Sequence, residues 1–304
     1  MLDLGFTYKT VVRNSEKVEW RLDEIFPEDT RLDFKRTFLP PTLVPTSALS
    51  FLTEAEHHTL NHITSNAYLN LFAFVEEYII AMALQHAHAE TFGDHDAIRA
   101  LSRFADEEVK HQALFLRYCA AFDRDFGHKC DVLGSASEVA GVILSKSPIA
   151  VLLVTLHLEL ITQDHYTDSV KDNAVVDPLF AKMLRAHWLE ESQHARIDQL
   201  ELEKLVSQAT PPTIQKGVNE YIELLGAFDG LLKSQADMDA VTYERASGKT
   251  LTTDQKKDLI AVQHKNYRRL FLVAGLTHKL FLETISRLDA AAGARVKELT
   301  AQYS

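Results

Sequence analysis

Apolar side chains recur at steps of three and four residues along much of the chain, beginning with Leu60, Ile63, Ala67, Leu71, Phe74 and Tyr78. That is the period at which side chains share one face of a helix. Thr53-Glu54-Ala55-Glu56 has the form of a capping box, so a helix is expected to start near residue 53 and run toward Gly93. A second should occupy about 95–126 and stop at Gly127, a residue suited to the left-handed turn beyond a helix end. Ser147-Pro148 and Asp177-Pro178 each place a capping residue before a proline at the first helical position, which marks two more starts. Pro211-Pro212 closes the fourth helix, and further helices are expected over about 213–240 and 252–290. In the last, the stripe Tyr267, Leu270, Phe271, Ala274, Leu280, Phe281 reads as packing. Residues 1–52 show no sustained period and carry Pro40, Pro41 and Pro45; they predict an irregular arm. No strand alternation is evident. The expected fold is all-α: one domain over 1–304, with an arm (1–52), a four-helix core (53–209) and accessory helices (210–304).

Composition narrows the function. A hydrophobic share of 46% and a charged share of 25% are those of a soluble globular chain. The net charge of −11 argues against nucleic acid or an anionic membrane as the main partner. Cys119 and Cys130 form no CxxC pair, so a reducing compartment is expected. The first twenty residues carry charges throughout and do not read as a signal peptide. The apolar stretch from Pro148 to Ile161 is interrupted by His157 and Glu159 and is too short to span a bilayer. A cytoplasmic protein is the expectation.

The candidate chemistry lies in two Glu-x-x-His steps inside helices, Glu108-x-x-His111 and Glu191-x-x-His194. Residues three apart project from the same helix face. With 22 Glu and 14 His in the chain, about one such step would arise by chance, and Glu54-x-x-His57 at a helix start is taken as that one. More telling is the glutamate in an apolar helix that precedes each step: Glu77, 31 residues before Glu108, and Glu159, 32 residues before Glu191. Two near-equal spacings imply two similar helix hairpins, which side by side make a four-helix bundle with all these side chains pointing inward. Four carboxylates in an apolar interior cannot be left bare, because each ionised group costs several kcal/mol to bury. Two divalent ions would balance them, with neutral imidazoles completing coordination. Mixed oxygen and nitrogen ligation suits iron or manganese, and the absence of thiolates from the pattern argues against an iron–sulfur cluster or a structural zinc site.

Glu76 and Glu77 compete for the first position. On a helical wheel Glu77 lies about 80° from the stripe through Ala67, Phe74 and Tyr78, with Glu76 roughly opposite, and Glu77 is therefore expected. Glu107 and Glu190, each one residue before a candidate ligand, could orient the histidines of the opposite hairpin. Phe74, Phe104, Leu156 and Leu160 lie within about a turn of the candidate ligands and could line an apolar substrate cavity.

This pattern resembles the ferritin-like di-iron carboxylate superfamily over about residues 53–209. The run AHWLEESQHARID within it resembles the p-aminobenzoate N-oxygenase (AurF-like) family, which has a third histidine four residues before its last glutamate. His187 holds that place here, where the other hairpin has Phe104. On a helix, 187, 191 and 194 lie at about 0°, 40° and −20°, so all three can reach one site. The resemblance implies two iron ions held by Glu77, Glu108, His111, Glu159, His187, Glu191 and His194. It further implies an O2-dependent oxygenase that works through a peroxo di-iron species on the amino group of an arylamine-type small molecule. C-hydroxylation, desaturation and ferritin-like iron oxidation or storage are the competing readings. The last is disfavoured by about 100 residues beyond a minimal bundle. No G-x-G-x-x-G or Walker-type loop is present, so electrons are expected from a separate reductase or ferredoxin. A homodimer is left open.

Overall fold

Two long helical hairpins dominate the computed structural model, which describes residues 5–304. The first joins α3 (Glu54–Ala89) to α4 (His95–Phe126), and the second joins α6 (Pro148–His165) to α7 (Pro178–Gln208); α1 (Tyr8–Val18), α2 (Leu22–Ile25) and α5 (Ala136–Leu144) accompany them. The chain closes with α8 (Pro211–Ser247), α9 (Thr253–Arg268), α10 (Ala274–Thr277), α11 (Lys279–Leu288) and α12 (Ala290–Tyr303). Among the described residues there is no β-strand, only an isolated bridge between Thr37 and Val176. The all-α, ferritin-like class is thus observed.

The ends of the hairpin helices follow the local signals. Thr53 and Glu56 form the reciprocal capping box of α3. Asp94 accepts from the amides of Asp96 and Ala97 at the start of α4, and Gly127 ends that helix with φ +80°. Asp177 caps α7 through the amides of Leu179 and Phe180. Ser147 precedes Pro148 without a side-chain cap; its own amide is instead held by Glu220 of α8 at 2.8 Å. The middle of α3 is apolar enough to resemble a membrane span, yet 67% of that stretch is buried within the protein, so its apolarity serves the core.

Three departures from the expected layout have physical causes. The arm is partly helical: Thr7 and Thr10 cap α1 reciprocally, and α1 lays Val11, Val12 and Ser15 against α4 and α7. This amphipathic segment is too short to reveal a period. A short α5, not anticipated, packs on α3 and α6. The expected helix over 252–290 is broken by a π-turn at Arg269–Val273 and an extended residue at His278. The break is pinned by buried His157, whose Nε2 donates to the Phe271 carbonyl at 2.9 Å while Nδ1 accepts from the Tyr221 hydroxyl at 2.8 Å. A Cβ at Gly275 would stand 2.3 Å from that imidazole, so only glycine lets the chain pass.

α3, α4, α6 and α7 enclose the bundle interior, with α8 lying across α3 and α6 and with α9 on α8. The buried apolar side chains form one core that runs from Val11 in α1 to Tyr303 in α12.

Candidate metal centre

Halfway along the bundle the apolar core gives way to a sealed cluster of acids and imidazoles. Glu76, Glu108, His111, Glu159, His187, Glu191 and His194 are all between 0% and 4% exposed. The two Glu-x-x-His steps face each other. His194 Nδ1 stands 2.9 Å from Glu108 Oε1 and 3.4 Å from Glu191 Oε1, while His111 Nδ1 stands 3.0 Å from Glu191 Oε1 and 3.7 Å from Glu108 Oε1. Glu108 and Glu191 therefore lie against both histidines. Glu159 approaches His194 Nδ1 at 3.8 Å, and His187 Nε2 lies 3.1 Å from Glu76 and 3.0 Å from Glu191. One ligand atom from each of Glu108, His111, Glu191 and His194 falls within 4.8 Å of the others, and so do those of Glu76, His111 and His187.

Six of the seven residues named from the sequence are brought together. The seventh is corrected: Glu77 is exposed on the outer face of α3, and Glu76 occupies the cluster. α3 is buried on most of its circumference from Leu60 to Ile79, so its apolar stripe does not define a single inward direction. A better signal was present, since Glu76 precedes Glu108 by 32 residues, the same interval that separates Glu159 from Glu191.

A second layer fixes the imidazoles. Glu190 accepts from His111 Nε2 at 2.9 Å and Glu107 accepts from His194 Nε2 at 3.0 Å, each across to the opposite hairpin as anticipated. Holding the Nε2 proton in this way turns both Nδ1 atoms inward as lone-pair donors. Lys110 balances Glu190 at 2.5 Å and Arg103 balances Glu107 at 3.3 Å, so these outer carboxylates have cations of their own. Among the described residues the inner ones have no Lys or Arg partner.

The inner atoms test whether the residues fit a metal pair. Glu76 Oε2, both oxygens of Glu108, His111 Nδ1, Glu159 Oε2, Glu191 Oε1 and His194 Nδ1 are buried without any hydrogen-bond partner. Unpaired atoms of this kind are rare and costly in a native interior. Protons alone settle the charges badly. Burial, with Glu108 and Glu191 nearby, pushes the Glu76 carboxyl well above the usual range. Burial also opposes charge on Glu108, but His111 and His194 outweigh it and hold Glu108 at about 2. Burial, with His111 beside it, pushes His187 well below an ordinary histidine. Converging oxygen and nitrogen donors with surplus negative charge suit two divalent ions of intermediate hardness.

Aromatic rings close the surroundings. Phe104, at the α4 position equivalent to His187, stacks on His194 with centroids 4.1 Å apart. Phe72 and Phe115 meet His187 edge-on at 5.7 and 5.1 Å. Trp20 of the arm, which carried no recognisable signal, stacks on His111 at 6.0 Å and 12°, and its indole donates to the Ala186 carbonyl at 3.0 Å.

An apolar cavity of about 230 Å3 lies between α3, α5, α6 and α8, lined by side chains that include Phe74, Val75, Tyr78, Ile143, Val154, Leu158 and Phe228. Of the four residues suggested for such a lining, Phe74 takes part, whereas Phe104, Leu156 and Leu160 are buried elsewhere in the core. Tyr78 lines this cavity from α3. Its hydroxyl is 3.0 Å from Thr155 Oγ1, and burial, reinforced by the charges of Asp198, Glu108 and Glu76, pushes its phenol up.

Fold and site together define a ferritin-like helical bundle with a carboxylate–histidine centre of the di-iron type. Residues 8–221 match the family described as P-aminobenzoate N-oxygenase AurF, and the chain belongs to that family. The match takes in the arm and the start of α8 as well as the four core helices. The family is one of di-iron N-oxygenases, and this protein is accordingly an oxidoreductase. No curated protein matches the chain.

Proposed function

We propose that the protein is an O2-dependent N-oxygenase that holds two iron ions and oxidises the amino group of a small neutral arylamine. The observation that carries this reading is the set of buried inward oxygen and nitrogen atoms, without hydrogen-bond partners, at the meeting point of the two hairpins. Glu76, His111 and His187 would hold the metals on one side and Glu159 and His194 on the other, with Glu108 and Glu191 between. When bound, the iron pair supplies the reduction of O2 that no side chain here could perform.

The rest is done by the chain. Glu190 and Glu107 hold the Nε2 protons of His111 and His194. Phe72, Phe104 and Phe115 exclude water from the centre, which keeps reactive oxygen from side reactions. The cavity beside Tyr78 receives the organic substrate. Its size exceeds the roughly 150 Å3 hole that takes up benzene, leaving room for one substituted aromatic ring. Among the described residues no Lys or Arg lines it, and a buried unpaired carboxylate would cost several kcal/mol. The substrate is therefore an arylamine without the acid group of p-aminobenzoate.

The test is turnover of iron-loaded, reduced protein with O2 and either p-toluidine or p-aminobenzoate, with products identified by mass spectrometry. Expected is the hydroxylamine or nitro product, formed from p-toluidine with the higher kcat/KM. Ring-hydroxylated or dehydrogenated products, or iron mineral without organic product, would contradict N-oxygenation, and a preference for p-aminobenzoate would contradict the neutral-substrate assignment.

A further inference from the structure

The charges of the N-terminal arm are arranged against the trend of the molecule. The chain is acidic overall, with a net charge of −11, yet Lys9, Arg13 and Lys17 follow one another at four-residue steps along α1, and Arg21 continues the series just beyond it. All four are exposed. Val11, Val12 and Ser15 form the buried face of the helix, so on an α-helical wheel the basic stripe looks outward. None of the four side chains makes an ion pair among the described residues, while the acids interspersed with them are engaged: Glu16 with Arg99 at 3.3 Å and Glu19 with Arg103 at 3.5 Å. Lys17 in the last turn favours the helix end, but a row of unpaired like charges repels itself, so the use of the whole stripe lies in what it attracts.

Immediately before Arg21, at the end of this stripe, comes Trp20. The residue is 6% exposed, lies in the short link between α1 and α2, and stacks nearly parallel on His111. Its indole nitrogen is tied to the carbonyl of Ala186, next to His187. One residue thus touches the surroundings of both histidines that face Glu76 and Glu191. The Lys110 ammonium sits 4.2 Å from the ring centroid. A cation there makes it harder to withdraw an electron from the indole, so the ring conducts without being left oxidised.

We propose that the outward face of α1 docks an acidic one-electron carrier protein and that Trp20 is the route by which its electrons reach His111. The proposal rests on the di-iron reading. Each carrier molecule loses one electron, so two carriers bring two ferric ions to the ferrous state, and no covalent bond is made or broken. Charge steers the carrier to the stripe; the packed aromatic pair then shortens the gap across which the electron must tunnel. Nucleic acid and anionic membrane would also answer to the stripe, but neither accounts for a ring stacked between that face and the centre.

The test uses reduced plant-type [2Fe–2S] ferredoxin as the probe, with the ferric chain followed by its visible absorbance in the absence of organic substrate. Iron content is measured on every sample, and oxidised ferredoxin binding is measured on iron-loaded and iron-free chains alike. Lys9→Glu/Arg13→Glu/Lys17→Glu should raise the ferredoxin concentration for half-maximal reduction by about tenfold and weaken binding to the same degree, leaving the limiting rate unchanged. Raising salt from about 50 mM to about 500 mM should mimic that change. Trp20→Leu should do the opposite, lowering the limiting rate about tenfold or more while binding stays as in the parent, and Trp20→Phe should restore part of that rate. Failure to take up iron would sink the di-iron reading, with the binding data still judging the docking face. Ferredoxin binding indifferent to the stripe and to salt, or lost affinity for duplex DNA or anionic vesicles in its place, would overturn the docking face. An unchanged limiting rate in an iron-replete Trp20→Leu chain would overturn the route.

Discussion

The two hairpins of the bundle are near repeats of each other, and their differences are more instructive than their likeness. Four residues of the α3–α4 site have counterparts 83 residues later in α6–α7: Glu76 with Glu159, Glu107 with Glu190, Glu108 with Glu191 and His111 with His194. These matched pairs build the centre and its orienting carboxylates. The same offset pairs Phe104 with His187 and Phe115 with Asp198. Where the first hairpin places two aromatic rings, the second places two polar groups, both buried. His187 joins the cluster beside Glu76, while burial pushes Asp198 well above an ordinary aspartate, with both oxygens unpartnered. Duplicated residues thus build the buried carboxylate–histidine cluster, and the departures from duplication make its two halves unequal.

The comparison can be broken most severely at its first matched pair. Glu76→Gln should lower affinity for one of the two iron ions on the order of a thousandfold, since it removes a charge and a donor from the interior. Glu77→Gln, on the exposed face of the same helix, should leave iron content unchanged and alter stability by no more than about 0.5 kcal/mol. Metal titration of the two variants decides between the residues.

A smaller effect is expected where the hairpins differ. His187→Phe copies the Phe104 position and should give a folded bundle with one iron site weakened on the order of a hundredfold, the other nearly intact. Equal iron affinity in that variant would mean that His187 is only a packing residue. Mildest of the three, Glu107→Gln and Glu190→Gln should each cost about tenfold in affinity at the histidine they orient, by matched amounts if the hairpins are equivalent there. Competition with a chelator would read the difference.

Much of this was legible beforehand, for reasons particular to each segment. The end of α4 and the starts of α6 and α7 are marked by Gly127, Ser147-Pro148 and Asp177-Pro178, residues whose preference is set by local backbone geometry. The two Glu-x-x-His steps were legible because burying charge at helical spacing has few purposes. Other features depend on long-range contacts and left no local mark. Glu76 carries no helical-wheel signal because α3 is buried nearly all round. The π-turn after α9 exists because His157, more than a hundred residues earlier, takes the Phe271 carbonyl. Trp20 reaches His111 only once α1 and α2 have docked on α4 and α7.

The claim on which the rest depends is a centre of two unequal iron ions between the hairpins. The most direct measurement is Mössbauer spectroscopy of protein loaded with 57Fe, joined to elemental analysis of the same sample. The account predicts about two iron ions per chain in two components of equal area, distinguished by the extra nitrogen of His187. One zinc per chain, iron well below two per chain after reconstitution, or a single component shared by equivalent ions would contradict it.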